Sequence, residues 1–254
     1  MIDVNTYIGH WPFRRLPATT PDELWDLLQV YGIERALVSP IEGIFYEEPQ
    51  IANEMLASFL DGKPELLQVA VLNPTLANWE RSLHQCCEKY HIVAVKLHPN
   101  YHTYRLEDSP ACDLLSAVGD VGLPVIIQLR VNDTRSHHPL MQVPDVPAAD
   151  VIAAAEKTQQ VNIVLGGIKW GEADGNVEKI TALPNLWLDI SQMETMDGLR
   201  RIIDACGTGR LLFGTHAPFF YIRSAIIKLD EAQLSDEEHE CITKQNGERI
   251  FCRV

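Results

Sequence analysis

The 254-residue sequence has no Cys-x-x-Cys pair, no apolar run near the roughly 18 residues that span a bilayer, and too few basic residues to balance its acids. Each absence removes a class of function. Against 35 Asp and Glu stand 21 Lys and Arg, a formal net charge of −14. Phosphate backbones and anionic membranes require the opposite sign, so neither nucleic acid nor membrane is an expected partner. The six cysteines (Cys86, Cys87, Cys112, Cys206, Cys241 and Cys252) are scattered, which predicts reduced thiols and a reducing compartment. Residues 1–9 run into a strand pattern without the basic and apolar segments of a secretory leader, so a cytoplasmic protein is expected. Also missing are a Gly-x-Ser-x-Gly elbow and a cysteine beside a histidine at a strand end.

What is present is a repeat of short β-rich apolar runs. They occupy residues 2–8, 35–39, 67–72, 91–97, 124–129, 161–165, 186–190 and 211–214. Helical patterns fill 20–31, 53–60, 76–90, 109–121, 148–158, 176–183, 196–206 and 219–229, and a last one runs over 235–250. The first opens Thr20-Pro21-Asp22-Glu23, a cap followed by proline at the first helical position. Doubly buried strands alternating with helices imply a parallel sheet, and eight repeats imply closure into a (β/α)₈ TIM barrel. The length is close to the roughly 250 residues of that fold, and no linker interrupts the chain, so a single domain over 1–254 is expected. An open doubly wound sheet wants a glycine-rich phosphate turn after its first strand. Gly9-His10-Trp11-Pro12 is not one.

Such barrels carry their chemistry at the C-terminal strand ends. Those positions hold Asn5, Tyr7, Ser39, Asn73, Lys96, His98, Gln128, Arg130, Lys169, Asp189, Ser191, Thr215 and His216. Several segments then resemble one family. Ile2-Asp3-Val4-Asn5-Thr6-Tyr7-Ile8-Gly9 is similar to the amidohydrolase-related first strand, which reads Asp-x-His-x-His-x-Gly. Residues 93–99 and 123–128 resemble that family's fourth and fifth strands. Gly214-Thr215-His216-Ala217-Pro218 resembles its Gly-Ser-Asp-x-Pro after strand eight, and residues 245–251 its terminal Asn-Ala-x-Arg-Leu-Phe. The resemblance, to the amidohydrolase 2 group with its aminocarboxymuconate-semialdehyde-decarboxylase-like barrels, runs the length of the chain.

It implies a metal held by two first-strand histidines, a histidine after strand five or six, and an aspartate after strand eight. The matching positions here are Asn5, Tyr7, Gln128, Gly166 or Gly167, and His216. Neutral amides and a phenol are poor ligands for a borderline-soft divalent ion. No metal or other cofactor is therefore expected. The alternative is a divalent metal at a new site drawn from His98, His216, His137 or His138.

In place of the metal the sequence offers an imidazole, hydrogen-bond donors and a basic loop. His216 is expected as general acid or base, with Asp189 to orient it and with Tyr7 and Asn5 as donors to a developing oxyanion. Gln128, Arg130, Arg135, His98, Lys96 and Lys169 are expected to bind substrate. Either arginine suits a carboxylate, and either one can equally pair with Asp133 to clamp the loop. Trp11, Phe13 and Trp170 are candidates for an aromatic wall. The expected function is hydrolysis, or ring opening, of a small carboxylated compound without metal. A metal-free decarboxylase or lyase and a non-catalytic binding barrel are the alternatives. A homo-oligomer is compatible with either.

Overall fold

A computed structural model describes residues 1–251, and Cys252 lies outside the described residues. Eight parallel strands run in sequence order: β1 (Ile2–Ile8), β2 (Arg35–Pro40), β3 (Leu66–Val71), β4 (Ala94–Leu97), β5 (Val125–Gln128), β6 (Ile163–Gly166), β7 (Leu186–Asp189) and β8 (Leu211–Leu212). The segment after β8 meets β1 through Val4 N–H to Phe213 O at 2.9 Å, His216 N–H to Asn5 O at 2.9 Å and Tyr7 N–H to Ala217 O at 2.8 Å. The barrel expected from the sequence is therefore formed.

Where boundaries differ from expectation, the cause is local. The fourth strand starts at Ala94 rather than His91 because His91 adopts a left-handed φ of 51° to end the helix Trp79–Tyr90. The helix expected from residue 53 starts at Pro49, a residue suited to a first helical position. An unexpected short helix, Trp170–Asp174, follows β6. The final helical run divides into Asp236–Glu240, a π-turn over Cys241–Gln245, and Asn246–Ile250. Among the described residues no helix is long and apolar enough to cross a membrane, and no disulfide joins the cysteines.

The interior is stratified. Apolar residues from every strand pack the lower layer: Ile2 and Val4, Leu37, Val69, Ala94, Ile126, Val164, Trp187 and Leu212, sealed below by Ile250 and Phe251. A strand turns every second side chain to the same face. Two residues further along stand Ser39, Val71, Lys96, Gln128, Gly166, Asp189 and Gly214, so the next layer is largely polar. A register shift in β1 between Asp3 and Thr6 alters its alternation. Ile2 and Val4 join the lower core, whereas Asn5 and Tyr7 reach the upper layers. A separate cluster containing Tyr7, Trp11, Leu16, Ile41, Ile44, Val131 and Phe219 caps the top.

Candidate active site

Asn5 is the hub of the polar layer. Its Nδ2 donates to Asp189 Oδ2 at 2.6 Å and to Gln128 Oε1 at 3.2 Å, and its Oδ1 accepts from Lys96 Nζ at 2.8 Å. Asp189 Oδ2 also accepts from Gly167 N–H at 3.1 Å and Ser191 Oγ at 2.8 Å, and its Oδ1 from Ser191 N–H at 2.8 Å. Below them Asp3 accepts from Thr215 and from Asn5 N–H, and burial pushes its carboxyl up to about 7. Burial also draws Lys96 down to about 7, although Asp189 and Asp3 favour its charge.

One step higher, the polar atoms lose their partners. Tyr7 Oη, both ring nitrogens of His98, His216 Nδ1 and Ser39 Oγ are buried and find no hydrogen-bond partner within the protein. They share one locality: the Tyr7 ring centroid lies 6.3 Å from that of His98 and 5.2 Å from that of His216, with Lys96 Nζ 4.0 Å from it. A buried polar atom without a partner costs about 1–3 kcal/mol, so several together mark a place built for something polar. Burial holds Tyr7 well above the ordinary tyrosine value, so its O–H stays a donor. Burial likewise holds His98 well below the histidine range, so both its nitrogens serve a neutral ring.

His216 sits in left-handed backbone at φ 59°, held by its own N–H to Asn5 O. Its Nε2–H donates to Val131 O at 2.7 Å, which fixes the tautomer and leaves the Nδ1 lone pair free. Burial lowers its pKa to about 3, so it is a neutral and weak base. The carbonyl of Val131 orients this ring; Asp189, expected in that role, is bound to Asn5, Gly167 and Ser191 instead.

Rings close the space above. Trp11 packs 5.0 Å from Phe219 and 5.1 Å from Phe45 by ring centroids, and Phe13 stacks on His138 at 5.8 Å. Under the loop only about 10 Å³ remains between Trp11, Tyr101 and His137, on the order of what one water needs. Trp170 lies elsewhere, with the Arg201 guanidinium over its ring at 3.9 Å, and is no part of this wall.

A family model described as amidohydrolase matches residues 12–253. The chain belongs to the amidohydrolase family. No curated protein matches it. Among solved structures it is similar to 2,6-dihydroxybenzoate decarboxylase from Rhizobium (16% identity, 99% of this chain and 98% of that one, TM-score 0.75). It is also similar to a dihydroxybenzoic acid decarboxylase from Polaromonas sp. JS666 with bound manganese and the inhibitor 2-nitroresorcinol (17% identity, 99% and 96% coverage, TM-score 0.75). A third is a putative 2-pyrone-4,6-dicarboxylic acid hydrolase from Pseudomonas putida (15% identity, 99% and 97% coverage, TM-score 0.71). At these identities the likeness shows the fold.

A divalent ion of the amidohydrolase kind does not fit the residues present. Asn5 turns its amide nitrogen towards Asp189, three donors already engage Asp189 Oδ2, and the Lys96 ammonium stands beside them. At Gly166 a Cβ would lie 2.7 Å from Gln128 Oε1, and at Gly167, where φ is +68°, 2.8 Å from Gln128 Nε2. The Gln128 amide occupies the space beside both glycines, and neither glycine carries a ligand of its own. Among the described residues no three His, Cys, Asp or Glu side chains gather so as to hold a metal ion. The alternative site also fails to assemble: His137 binds Asn132 O and Val143 N–H, and His138 lies against Phe13.

The basic residues of the mouth are committed as well. Arg130, 2% exposed, binds Asp145 at 2.7 Å, Gly167 O at 2.6 Å and both oxygens of Glu172. Its fork is already filled by Glu172, so it ties the loop to the Trp170–Asp174 helix and holds no free face to a substrate carboxylate. Arg135 forms the loop clamp with Asp133, two bonds of 2.9 Å, and its side chain is 88% exposed. Lys169 lies 3.5 Å from Asp145 and is half exposed. Gln128 joins the hub, donating to Arg130 O at 2.8 Å. Thus Asn5, Tyr7, Lys96, His98, Gln128, Asp189 and His216 come together, and Arg130, Arg135 and Lys169 do not join them. Asp145 and Glu172 escaped the sequence reading because nothing local marks them as Arg130's partners.

Proposed function

We propose that this amidohydrolase-family chain is an enzyme acting on a small carboxylated compound without the family's divalent metal, with hydrolysis as the reaction class. One observation carries the reading: Tyr7 Oη, both nitrogens of His98 and His216 Nδ1 are buried without partners around the Lys96 ammonium. A carboxylate fits this set. It accepts from the Tyr7 hydroxyl and the His98 N–H, and it lies in the positive field of Lys96, which burial strengthens. His216 Nδ1, whose lone pair is left free by the bond from Nε2–H to Val131 O, holds a water by its proton in the role of a weak general base. Asn5 and Asp189 act as positioning residues, holding Lys96 and the strand ends in register.

The compounds named for similar structures supply the probes: 2,6-dihydroxybenzoate and 2-pyrone-4,6-dicarboxylate. Each is offered to the dialysed protein, with binding followed by calorimetry and products by chromatography. Saturable binding of either, weakened by Tyr7→Phe, with turnover that chelator does not abolish, supports the reading. If neither these two nor a wider set of aromatic mono- and dicarboxylates binds, the reading fails.

A second reading is binding without turnover. It is favoured by the state of the candidate bases, since both histidines are depressed by burial and Asp189 is engaged by four donors. Saturable binding with no product from any compound that binds selects it.

A further inference from the structure

We propose that Lys96 is a nucleophilic amine that condenses with the carbonyl group of a small oxo acid, forming an iminium ion at the centre of the barrel. The carboxylate half of that ligand class rests on the reading above; the amine chemistry stands on Lys96 itself.

Among the described residues two lysines are buried, and they differ in what holds them. Lys228 donates to two carbonyls, Ile190 O at 2.9 Å and Ser191 O at 2.6 Å, and so ties β7 to the helix Ile222–Glu231. Lys96 donates to a single neutral acceptor, Asn5 Oδ1, and among the described residues it forms no ion pair with a carboxylate. Beside it stand the Tyr7 ring, 4.0 Å from Nζ, and His98, and Tyr7 Oη and both His98 ring nitrogens have no partner within the protein. Lys228 spends its donors on backbone carbonyls, whereas Lys96 has one neutral acceptor and lies beside Tyr7 and His98, groups that can carry protons.

The buried setting also disfavours the ammonium. Asp3 and Asp189 face Lys96 and favour its charge, His98 and His216 flank it, and desolvation outweighs the two carboxyls to bring it down to about 7. Near neutrality a sizeable fraction of the side chain is free amine, the form that attacks a carbonyl carbon.

In the step, the Nζ lone pair forms a bond to the carbonyl carbon while the carbonyl π pair moves to oxygen, which takes a proton. Nitrogen then gives up one of its protons, the oxygen takes that second proton and leaves as water, and the carbon–nitrogen double bond forms. The balance is amine plus carbonyl plus one proton giving iminium plus water, with no oxidant or reductant. Tyr7 Oη–H donates to that oxygen in this step, and the His98 N–H is left to the carboxylate. The iminium keeps the single positive charge of the ammonium, so the electrostatics of the hub are preserved. In a 3-oxo acid it accepts the electron pair released when the bond to the carboxylate breaks.

Borohydride trapping tests this directly. The full-length protein is incubated with pyruvate or with acetaldehyde, reduced with borohydride, weighed by mass spectrometry and mapped by peptide. One adduct per chain on the Lys96 peptide, absent in Lys96→Met, is the expected result. Pyruvate is expected to label Lys96 about tenfold or more faster than acetaldehyde, the worth of a charge-assisted hydrogen bond to its carboxylate. Equal labelling by the two keeps the amine role and removes the carboxylate reading of the site. Adducts confined to other lysines, or no adduct at all, overturn the proposal. Should Lys96→Met not fold, the peptide map of the wild-type protein still decides.

Discussion

Asn5 reaches Asp189 across the barrel, donating through Nδ2 at 2.6 Å, and its other amide atom accepts from Lys96. One carboxamide thus stands between a carboxylate and an ammonium from different strands. Replacing it by Asn5→Leu takes the acceptor from Lys96 Nζ and the donor from Gln128 Oε1, while Asp189 keeps Gly167 and Ser191. The folded state is expected to lose about 3 kcal/mol, the cost of those two unsatisfied buried groups, read as a lower urea midpoint. An unchanged midpoint would show that the hub bears no load.

Arg130 and Arg135 are separated by five residues and differ in role. Arg130→Met removes a buried cation with three sets of partners and is expected to cost about 3 kcal/mol in urea denaturation. Arg135→Ala, an exposed pair, is expected to leave the midpoint where it was. Calorimetry adds the functional half: Arg135→Ala binds carboxylates as wild type does. Weakened binding in that variant would return Arg135 to the site.

His216 contributes a pH dependence of defined sign. Its pKa is about 3 when folded, against the ordinary 6.5. Between those values the unfolded chain binds more protons than the native one, so stability rises with pH through the window. The contribution is fully present above pH 6.5 and is lost as pH falls towards 3. His216→Asn, a residue that tolerates left-handed backbone, is expected to flatten the difference between unfolding midpoints at pH 7 and pH 4.5. Parallel curves for variant and wild type would rule out the assignment.

Metal binding can be checked without any substrate. Elemental analysis of the dialysed protein is expected to find manganese and zinc well below stoichiometric. Added back, either ion is expected to leave the thermal midpoint unchanged, because Gly166, Gly167 and Lys96 offer it nothing. A stoichiometric ion surviving dialysis, or a clear upward shift, contradicts this.

The strands were readable because each is a short apolar run ended by polar or turn residues, and the end of each strand places its chemistry. Lys96, His98 and Gln128 were found in that way. The fate of Arg130 was not legible: its partners lie 15 and 42 residues further on, and only the closed fold brings them together. The role given to Asp189 failed for a similar reason, since strand-end position cannot say which neighbour a carboxylate chooses. The shift in β1 left no local mark, because Asp3, Val4 and Asn5 read as ordinary strand. The cap draws on Trp11, Phe45, Tyr101 and Phe219, which come from separate connections with no common motif.

That cap sets the kinetics of any ligand. Tyr7, Lys96, His98 and His216 are all fully shielded from solvent in the closed form. A molecule from solution can bind only during excursions in which the rings part, so the observed dissociation constant equals the intrinsic one divided by the fraction of time the mouth is open. Association should therefore saturate with ligand concentration at the rate of opening, and a smaller side chain at Trp11 would raise that ceiling. On the proposed reading, occupancy of the site depends on these rings as much as on the polar groups beneath them.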